Sequence, residues 1–450
     1  MSATTAARLR EDAEARRRAL TDLDATLLME AGAGSGKTSV LAGRIAMLLA
    51  AGRAPAGIAA ISFTEASASE LRERVGRFVV ALLDGAIPPD LAVALPDGLS
   101  AAQRAALQRA APELDTLTCS TIHGFCRRLL APWPIEAGLD PGASMADGDA
   151  AELLFEDALR GFLLAKLSGD AELDDPVAAL FLAGEAAPEA LIGDLARALR
   201  VHRGARIPDY PREDAACAAL RKAVRAFRAF LTRAPFAEPE TVDIVAGFEA
   251  LLAEMPDGSA GRVPSLLALL RLPVPQACST GRGAFGSYRK KGKWRAAARG
   301  AASQTQADQL HDDASTHYDT CCAAHGEVRA AAAGCLLSLL GADVAGVVED
   351  FQRAKRSAAL LDFDDLLHHA RDLLTARGDV RAALGARYRH VLVDEFQDTD
   401  PLQAEILWRL CGDPPRGAPD APWSDWRLRD GALFMVADPK QAIYRFRRAD

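Results

Sequence analysis

No stretch of this 450-residue chain approaches the ~18 consecutive apolar residues that a membrane span requires. Met1 to Arg18 is polar and charged, so no secretory signal is read there. Eight cysteines are present, Cys119, Cys126, Cys217, Cys278, Cys321, Cys322, Cys335 and Cys411. None makes a C-x-x-C pair, so neither a zinc site nor a redox motif is expected, and the thiols are read as reduced and cytosolic. Lysine is scarce, 8 against 45 arginines, while alanine is abundant. That pattern reads as genomic base bias, yet Lys37 and Lys440 both fall within motifs. An excess of positive charge is missing too. The net charge of −8 argues against a protein that coats nucleic acid, and leaves room for local basic grooves. What remains is ordinary globular composition, half apolar and a quarter charged, with length for two to four domains of ~150 residues.

Strand and helix signals alternate over the first 130 residues or so. Ala25–Met29, Ile58–Phe63 and Leu114–Cys119 read as buried strands. Lys37–Leu49 and Glu65–Leu83 read as helices, the second with Leu71, Val75, Phe78, Val79 and Leu82 on one face. From about Gly138 to Ala354 strand signals nearly vanish, and helical patterns are broken by Pro/Gly loops. After Leu360 the alternation returns, with strands at His390–Val393 and Ala432–Val436 and a helix at Leu402–Leu410. The expected architecture is α/β: a parallel sheet domain built from residues 1–137 and 355–450, interrupted by a mostly helical insertion at 138–354.

Ala31-Gly32-Ala33-Gly34-Ser35-Gly36-Lys37-Thr38 follows the first strand and opens a helix. Such a turn lets backbone N–H groups, including that of Ser39, surround phosphate oxygens. Lys37 can reach the β- and γ-phosphates, and Thr38 can hold Mg²⁺. The first position departs from the G-x-x-x-x-G-K-[ST] form, being Ala31. A purely structural turn is the alternative, and Gly-Lys-Thr at the helix start argues against it. A second acidic partner for the metal comes from Val391-Leu392-Val393-Asp394-Glu395. Asp394 would hold Mg²⁺ through its water shell, and Glu395 would polarise the attacking water.

Asp394-Glu395-Phe396-Gln397-Asp398-Thr399-Asp400-Pro401-Leu402-Gln403 resembles motif II of superfamily 1 helicases of the UvrD, Rep and RecB type. Other segments resemble the same family in order. Ala31–Thr38 is similar to motif I, Ile61–Glu65 to motif Ia, and Thr121–Cys126 to the T-x-H-x-F/M-C segment. Leu361–Leu367 is similar to L-D-F-D-D-L-L, and Asp438–Arg447 to motif III. The Asp-Pro-Lys-Gln form of the last resembles the AddA and RecB (exonuclease V β-chain) branch.

The resemblance implies a RecA-like P-loop NTPase domain that hydrolyses ATP with Mg²⁺. It implies 3′→5′ movement on single-stranded DNA, binding of tailed duplexes, and a role in recombinational repair in a bacterial cytoplasm, without a membrane. A nuclease or helicase partner, AddB- or RecC-like, is implied as well. Gln441 would sense the γ-phosphate and link it to DNA. Phe63, Tyr444 and Phe446 would offer aromatic faces to bases, and Thr64, Thr121, His123 and Arg447 would meet the phosphate backbone or order that surface. For His123 and Phe125, helix-start packing stands as the alternative. Leu361–Leu367 is expected to pack beside the motif II strand.

This chain departs from the family where Ala66 and Ser67 follow Glu65, and where Ala437 precedes Asp438. The upstream adenine-reading glutamine has no counterpart, and Asp12 sits near its place. Between Gly281 and Gly300, Arg282, Arg289, Lys290, Lys291, Lys293, Arg295 and Arg299 interleave with Phe285, Tyr288 and Trp294, without an acid. That segment reads as a DNA-backbone surface, with a solvated loop as the alternative. A kinase or transporter-type P-loop ATPase is a rival reading, and so is a non-enzymatic DNA-binding fragment; DNA-stimulated ATPase activity separates the helicase reading from the former. Motifs IV to VI do not occur before Asp450, which implies an N-terminal portion of a helicase. Residues 1–450 alone are therefore expected to hydrolyse ATP poorly and not to unwind DNA, because ~10³–10⁵ in turnover comes from arginine fingers in such systems. Strand displacement on a 3′-tailed duplex checks this: ATP-dependent unwinding by the purified chain contradicts it.

Overall fold

Short apolar strands alternating with helices bury both sheet faces only if the strands run parallel and the helices cover them. The computed structural model describes residues 3–32, 34–168, 174–182, 184, 187–203, 207–208, 210, 212–418 and 420–442. The chain divides into two units, Met1–Gly148 with Ala358–Asp450, and Asp149–Ser357.

In the first unit, β1 (Leu27–Glu30), β2 (Ile58–Ser62), β3 (Thr118–Thr121), β4 (His390–Val393) and β5 (Leu433–Ala437) form one sheet in the order β1-β5-β4-β2-β3. Every pairing in it is parallel. β2, β4 and β5 are buried along their whole length, as unbroken apolar strands must be. Its helices include α1 (Ala3–Thr21), α2 (Lys37–Ala50), α3 (Glu65–Leu83), α4 (Ile122–Leu130), α5 (Phe363–Ala376) and α6 (Pro401–Cys411). Leu41, Ile45 and Leu49 of α2 join Leu71, Val75, Val79 and Leu82 of α3 in one core. Phe125 and Leu129 of α4 join Leu366, Leu373 and Ile406 from α5 and α6 in another. Arg44 lies inside the first core, 1% exposed. Its guanidinium donates to Ala19 O at 2.6 Å and Ala25 O at 3.2 Å, and sits 4.4 Å from the Phe434 ring centroid. It thereby ties the end of α1 and the approach to β1 onto α2. Burial lowers its pKa to about 10, so it remains charged at neutral pH.

The strand expected at Leu114–Cys119 is displaced. Ala111–Thr116 forms a 3-10 turn with Pro112 as its second residue and the Thr116 hydroxyl donating to Glu113 O at 2.7 Å, and β3 starts only at Thr118.

The second unit is helical, and among its described residues no strand exceeds a single bridge, Ser279 to Phe285. Its axis is the 54-residue helix Gln304–Ser357, about 80 Å long at 1.5 Å per residue. Tyr318, Cys321, His325, Val328, Ala332 and Cys335 are buried on it at alternating spacings of three and four, the seam that packs onto neighbouring helices. Part of this helix is long and apolar enough, by length and composition, to cross a membrane, which corrects the sequence expectation. The buried seam, however, places it as a core helix.

The basic segment also needs correction. Trp294 is fully buried and Tyr288 nearly so, with Trp294 Nε1 donating to Tyr288 Oη at 2.9 Å. Phe285 stacks on Phe248, ring centroids 5.9 Å apart. These rings belong to the core and are not available to bases. Lys290 and Lys293 pair with Glu240, and Lys291 and Arg295 with Asp308. Those contacts hold both carboxyls at about 2. Two acids outside the segment thus pair with four of its seven cations. Arg282, Arg289 and Arg299 remain exposed.

Trp294→Ala is expected to destabilise the second unit by about 3–5 kcal/mol, the usual cost of emptying an aromatic core site. Urea unfolding checks it; a change below about 1 kcal/mol would place Trp294 outside the core.

Candidate functional site

All five strands point their carboxyl ends to one edge, because the sheet is wholly parallel, and ligands of such sheets bind there. The glycine-rich loop leaves that edge after β1. Ala31 N donates to Ala437 O at 2.9 Å, stitching the loop's start to β5, and Ser35 N donates to Gly32 O at 3.2 Å. Gly34 and Gly36 have φ of 72° and 81°, a left-handed backbone that favours glycine. Gly36 then delivers Lys37 and Thr38 as the first residues of α2, and Ser39 is buried behind them. Ser35 Oγ is buried and has no partner among the described residues. Ala33 lies outside the described residues. Arg16 reaches the loop from α1, its Nη2 donating to Ser35 O at 2.5 Å while Nε donates to Asp12 at 3.1 Å.

β4 delivers the carboxylates. Asp394 is 7% exposed, and burial, followed by the neighbouring Glu395 charge, raises its pKa. It accepts from Thr38 Oγ1 at 3.4 Å and from Glu395 N at 3.0 Å. Glu395 has left-handed dihedrals, φ 52° and ψ 44°, which turn its side chain back to the loop. Lys37 Nζ donates to Glu395 Oε2 at 3.0 Å and to Gln441 Oε1 at 2.8 Å. Lys37, Thr38, Asp394, Glu395 and Gln441 are therefore brought together.

Gln397 and Asp438 complete the arrangement, and the sequence reading had assigned them no role. Gln397 Nε2 donates to Glu395 Oε2 at 2.6 Å, and Gln397 Oε1 accepts from Asp438 N at 2.8 Å. Asp438 O accepts from Gln441 N at 2.9 Å. Both residues lie within the quoted motif stretches, which was their only signal. Asp398 Oδ1 is buried without a partner, and burial and the Glu395 charge raise its pKa. A cavity of ≈ 30 Å³ borders Ser62, Phe63, Asp394, Glu395 and Asp398, room for about one water.

Further along the same edge, Phe63 follows β2 and is 43% exposed. His123 opens α4, its ring 5.4 Å from that of the exposed Phe363, edge to face. Burial lowers the His123 pKa. Thr64 caps α3, accepting from Ser67 N at 3.0 Å. Thr121 caps α4, accepting from Gly124 N at 3.2 Å, while its hydroxyl donates to Glu65 Oε1 at 2.7 Å. Both hydroxyls thus hold helix starts. Phe125 is fully buried against Tyr388, ring centroids 5.0 Å apart. Tyr444, Phe446 and Arg447 lie outside the described residues. Among the described residues no cluster of three or more His, Cys, Asp or Glu side chains is arranged to hold a metal, so a cation here would draw on Thr38 and Asp394 together with the substrate's own oxygens.

The family model described as the UvrD/REP helicase N-terminal domain matches residues 12–198 and 303–450. A subunit of an ATP-dependent helicase/nuclease from Desulforudis audaxviator is 28% identical over 94% of this chain and 35% of its own length. Its namesake from Geobacillus kaustophilus is 29% identical over 94% and 34%. The "ATP-dependent DNA helicase UvrD1" of Mycobacterium leprae is 39% identical over 24% of this chain and 13% of its own. The chain spans about a third of the length of the helicase/nuclease subunits that it matches end to end.

Residues 121–126 separate core from surface. Phe125→Ala is expected to cost about 3–5 kcal/mol and His123→Ala under about 1 kcal/mol, by urea unfolding of each variant. Equal losses would contradict the division.

Proposed function

The chain belongs to the UvrD/REP helicase N-terminal domain family, and on that premise we propose that it is the ATP-binding part of a 3′→5′ DNA helicase acting in recombinational repair. The first unit is then a RecA-like P-loop domain, and the second a helical insertion that contacts DNA. The observation that carries the reading is Lys37 held between Glu395 and Gln441 at 3.0 and 2.8 Å, with Thr38 on Asp394. A phosphate-binding lysine, a metal-binding hydroxyl with its acid, a general base and a neutral amide meet at one sheet edge.

The residues fit Mg·ATP. The left-handed loop and the orphaned Ser35 Oγ offer polar atoms to phosphate. Thr38 and Asp394 would hold Mg²⁺, which supplies charge neutralisation at the β- and γ-oxygens. Lys37 would exchange Glu395 for those oxygens. Glu395 would accept, at its carboxylate, the proton of the water that attacks the γ-phosphorus, while the bond to the β,γ-bridging oxygen breaks and ADP leaves. Gln441 would release Lys37 from its Oε1 and donate from Nε2 to the γ-phosphate. Phe63, His123 and Phe363 would face single-stranded DNA on the same edge; for Tyr444, Phe446 and Arg447 a DNA-binding role rests on the resemblance of their motif. Thr64 and Thr121 would serve it by ordering α3 and α4. An AddB- or RecC-like partner and a bacterial cytoplasmic setting belong to the same proposal.

In the full-length protein, Lys37→Ala is expected to abolish ATP binding or turnover. Glu395→Gln is expected to keep ATP affinity and to lose roughly 10²–10⁴-fold in kcat, the scale of general base catalysis. Nucleotide titration and a DNA-stimulated ATPase assay check both. Wild-type turnover in either variant defeats the assignment, and ATPase activity indifferent to DNA favours a P-loop enzyme of another class.

A further inference from the structure

We propose that Gln397 is a positioning residue: it keeps the Glu395 carboxylate in place and ties it to the segment carrying Gln441 when Lys37 is drawn to phosphate. The inference rests on the ATPase reading above. Its basis is a closed ring of contacts. Lys37 joins Glu395 to Gln441. Gln441 N joins Asp438 O. Asp438 N joins Gln397 Oε1, and Gln397 Nε2 returns to Glu395. Lys37 and Gln397 donate to the same oxygen, Glu395 Oε2.

Phosphate oxygens compete with that oxygen for the Lys37 ammonium. Once Lys37 moves, the ring opens on its cationic side and Gln397 becomes the side-chain donor that still fixes Oε2. A neutral amide suits this better than a second cation, because it orients the carboxylate while leaving its basicity for the attacking water. Orientation matters because Glu395 has left-handed dihedrals, which a residue with a side chain keeps only when its surroundings over-determine it. The same amide is a connector. Its carbonyl end holds the backbone of Asp438, whose carboxylate accepts from Lys440 N at 3.1 Å and whose carbonyl accepts from Gln441 N. A shift of the segment after β5 is thus transmitted to Glu395 through one rigid planar group. Asn is a methylene too short to span both contacts, and Met fills the volume with neither.

The experiment compares wild type, Gln397→Met, Gln397→Asn and Lys37→Ala in the full-length protein, each checked for folding by circular dichroism. Gln397→Met is expected to lower DNA-stimulated kcat roughly 10–100-fold, the scale on which a misplaced general base loses rate. KM for ATP should stay within about twofold. Gln397→Asn should not rescue it. Equilibrium binding gives a readout independent of turnover. Wild type should bind a fluorescent non-hydrolysable ATP analogue and oligothymidylate cooperatively. Gln397→Met should bind each alone as wild type does, with the cooperativity lost. A merely structural role would weaken both separate affinities and leave their coupling intact, and that result overturns the proposal. So does wild-type kcat and coupling in Gln397→Met when Lys37→Ala is dead, which leaves the ATPase reading standing. A wild-type protein that binds no nucleotide defeats both.

Discussion

A buried ammonium must be paired, and Lys37 finds its partners 358 and 404 residues along the chain. That requirement organises the first unit. Glu395 follows β4 and Gln441 follows β5, so both strands must end beside the loop that follows β1. The order β1-β5-β4 with parallel register does this, and an antiparallel neighbour would send its loop to the opposite edge. The Ala31 N to Ala437 O contact sets the loop's height, and Arg44 fixes α2 beneath it.

Several side chains serve fold and surface together. Thr64 and Thr121 cap helices with the hydroxyls that a nucleic-acid reading would assign to phosphate contact. Asp362 caps α5 in a reciprocal capping box with Asp365, and so steadies the helix that begins with the exposed Phe363. A helix start at the carboxyl edge places its first side chains over the site while the capped turn holds them still. On the proposed reading, the ordered edge and the DNA-facing edge are one structure. The ≈ 30 Å³ cavity lies between Phe63 on one side and Glu395 on the other, so a shift at the aromatic need cross only a small gap to reach the base.

What was legible in the sequence was local. β4 is readable because three apolar residues after His390 run directly into two carboxylates, and α3 because its apolar positions repeat at helical spacing. The glycine-rich loop is readable because its backbone needs glycine at Gly34 and Gly36. The start of β3 was missed because Leu114 and Leu117 looked like strand residues, whereas Pro112 and the Thr116 side chain close a 3-10 turn around them. The charge of residues 281–300 was read in isolation, while Glu240 and Asp308 lie outside the segment and appear only when helices pack. The aromatics interleaved with that charge, Phe285, Tyr288 and Trp294, turn into the core, which no linear spacing distinguishes from a stacking platform. Gln397 was invisible for a related reason, since both its contacts depend on the neighbourhood of β4 and β5.

Charge balance at the edge carries one step further. Asp394, Glu395 and Asp398 stand against Lys37, and the pKa values of Asp394 and Asp398 are raised by burial and by the Glu395 charge. Among the described residues, three carboxylates thus stand around one ammonium, with the Arg16 guanidinium reaching the loop only at Ser35 O. A nucleoside triphosphate would add several negative charges to an edge that already holds protons on its acids more tightly than usual. On the proposed reading, binding is therefore favourable only if a divalent cation accompanies the phosphates, and Asp394, paired with the Thr38 hydroxyl, is the acid placed to lose its raised pKa to that cation. Lys37 is pinned by Glu395 and Gln441: among the described residues its ammonium is the counter-charge these carboxylates meet, and on the proposed reading the chain holds it where it can be handed to phosphate.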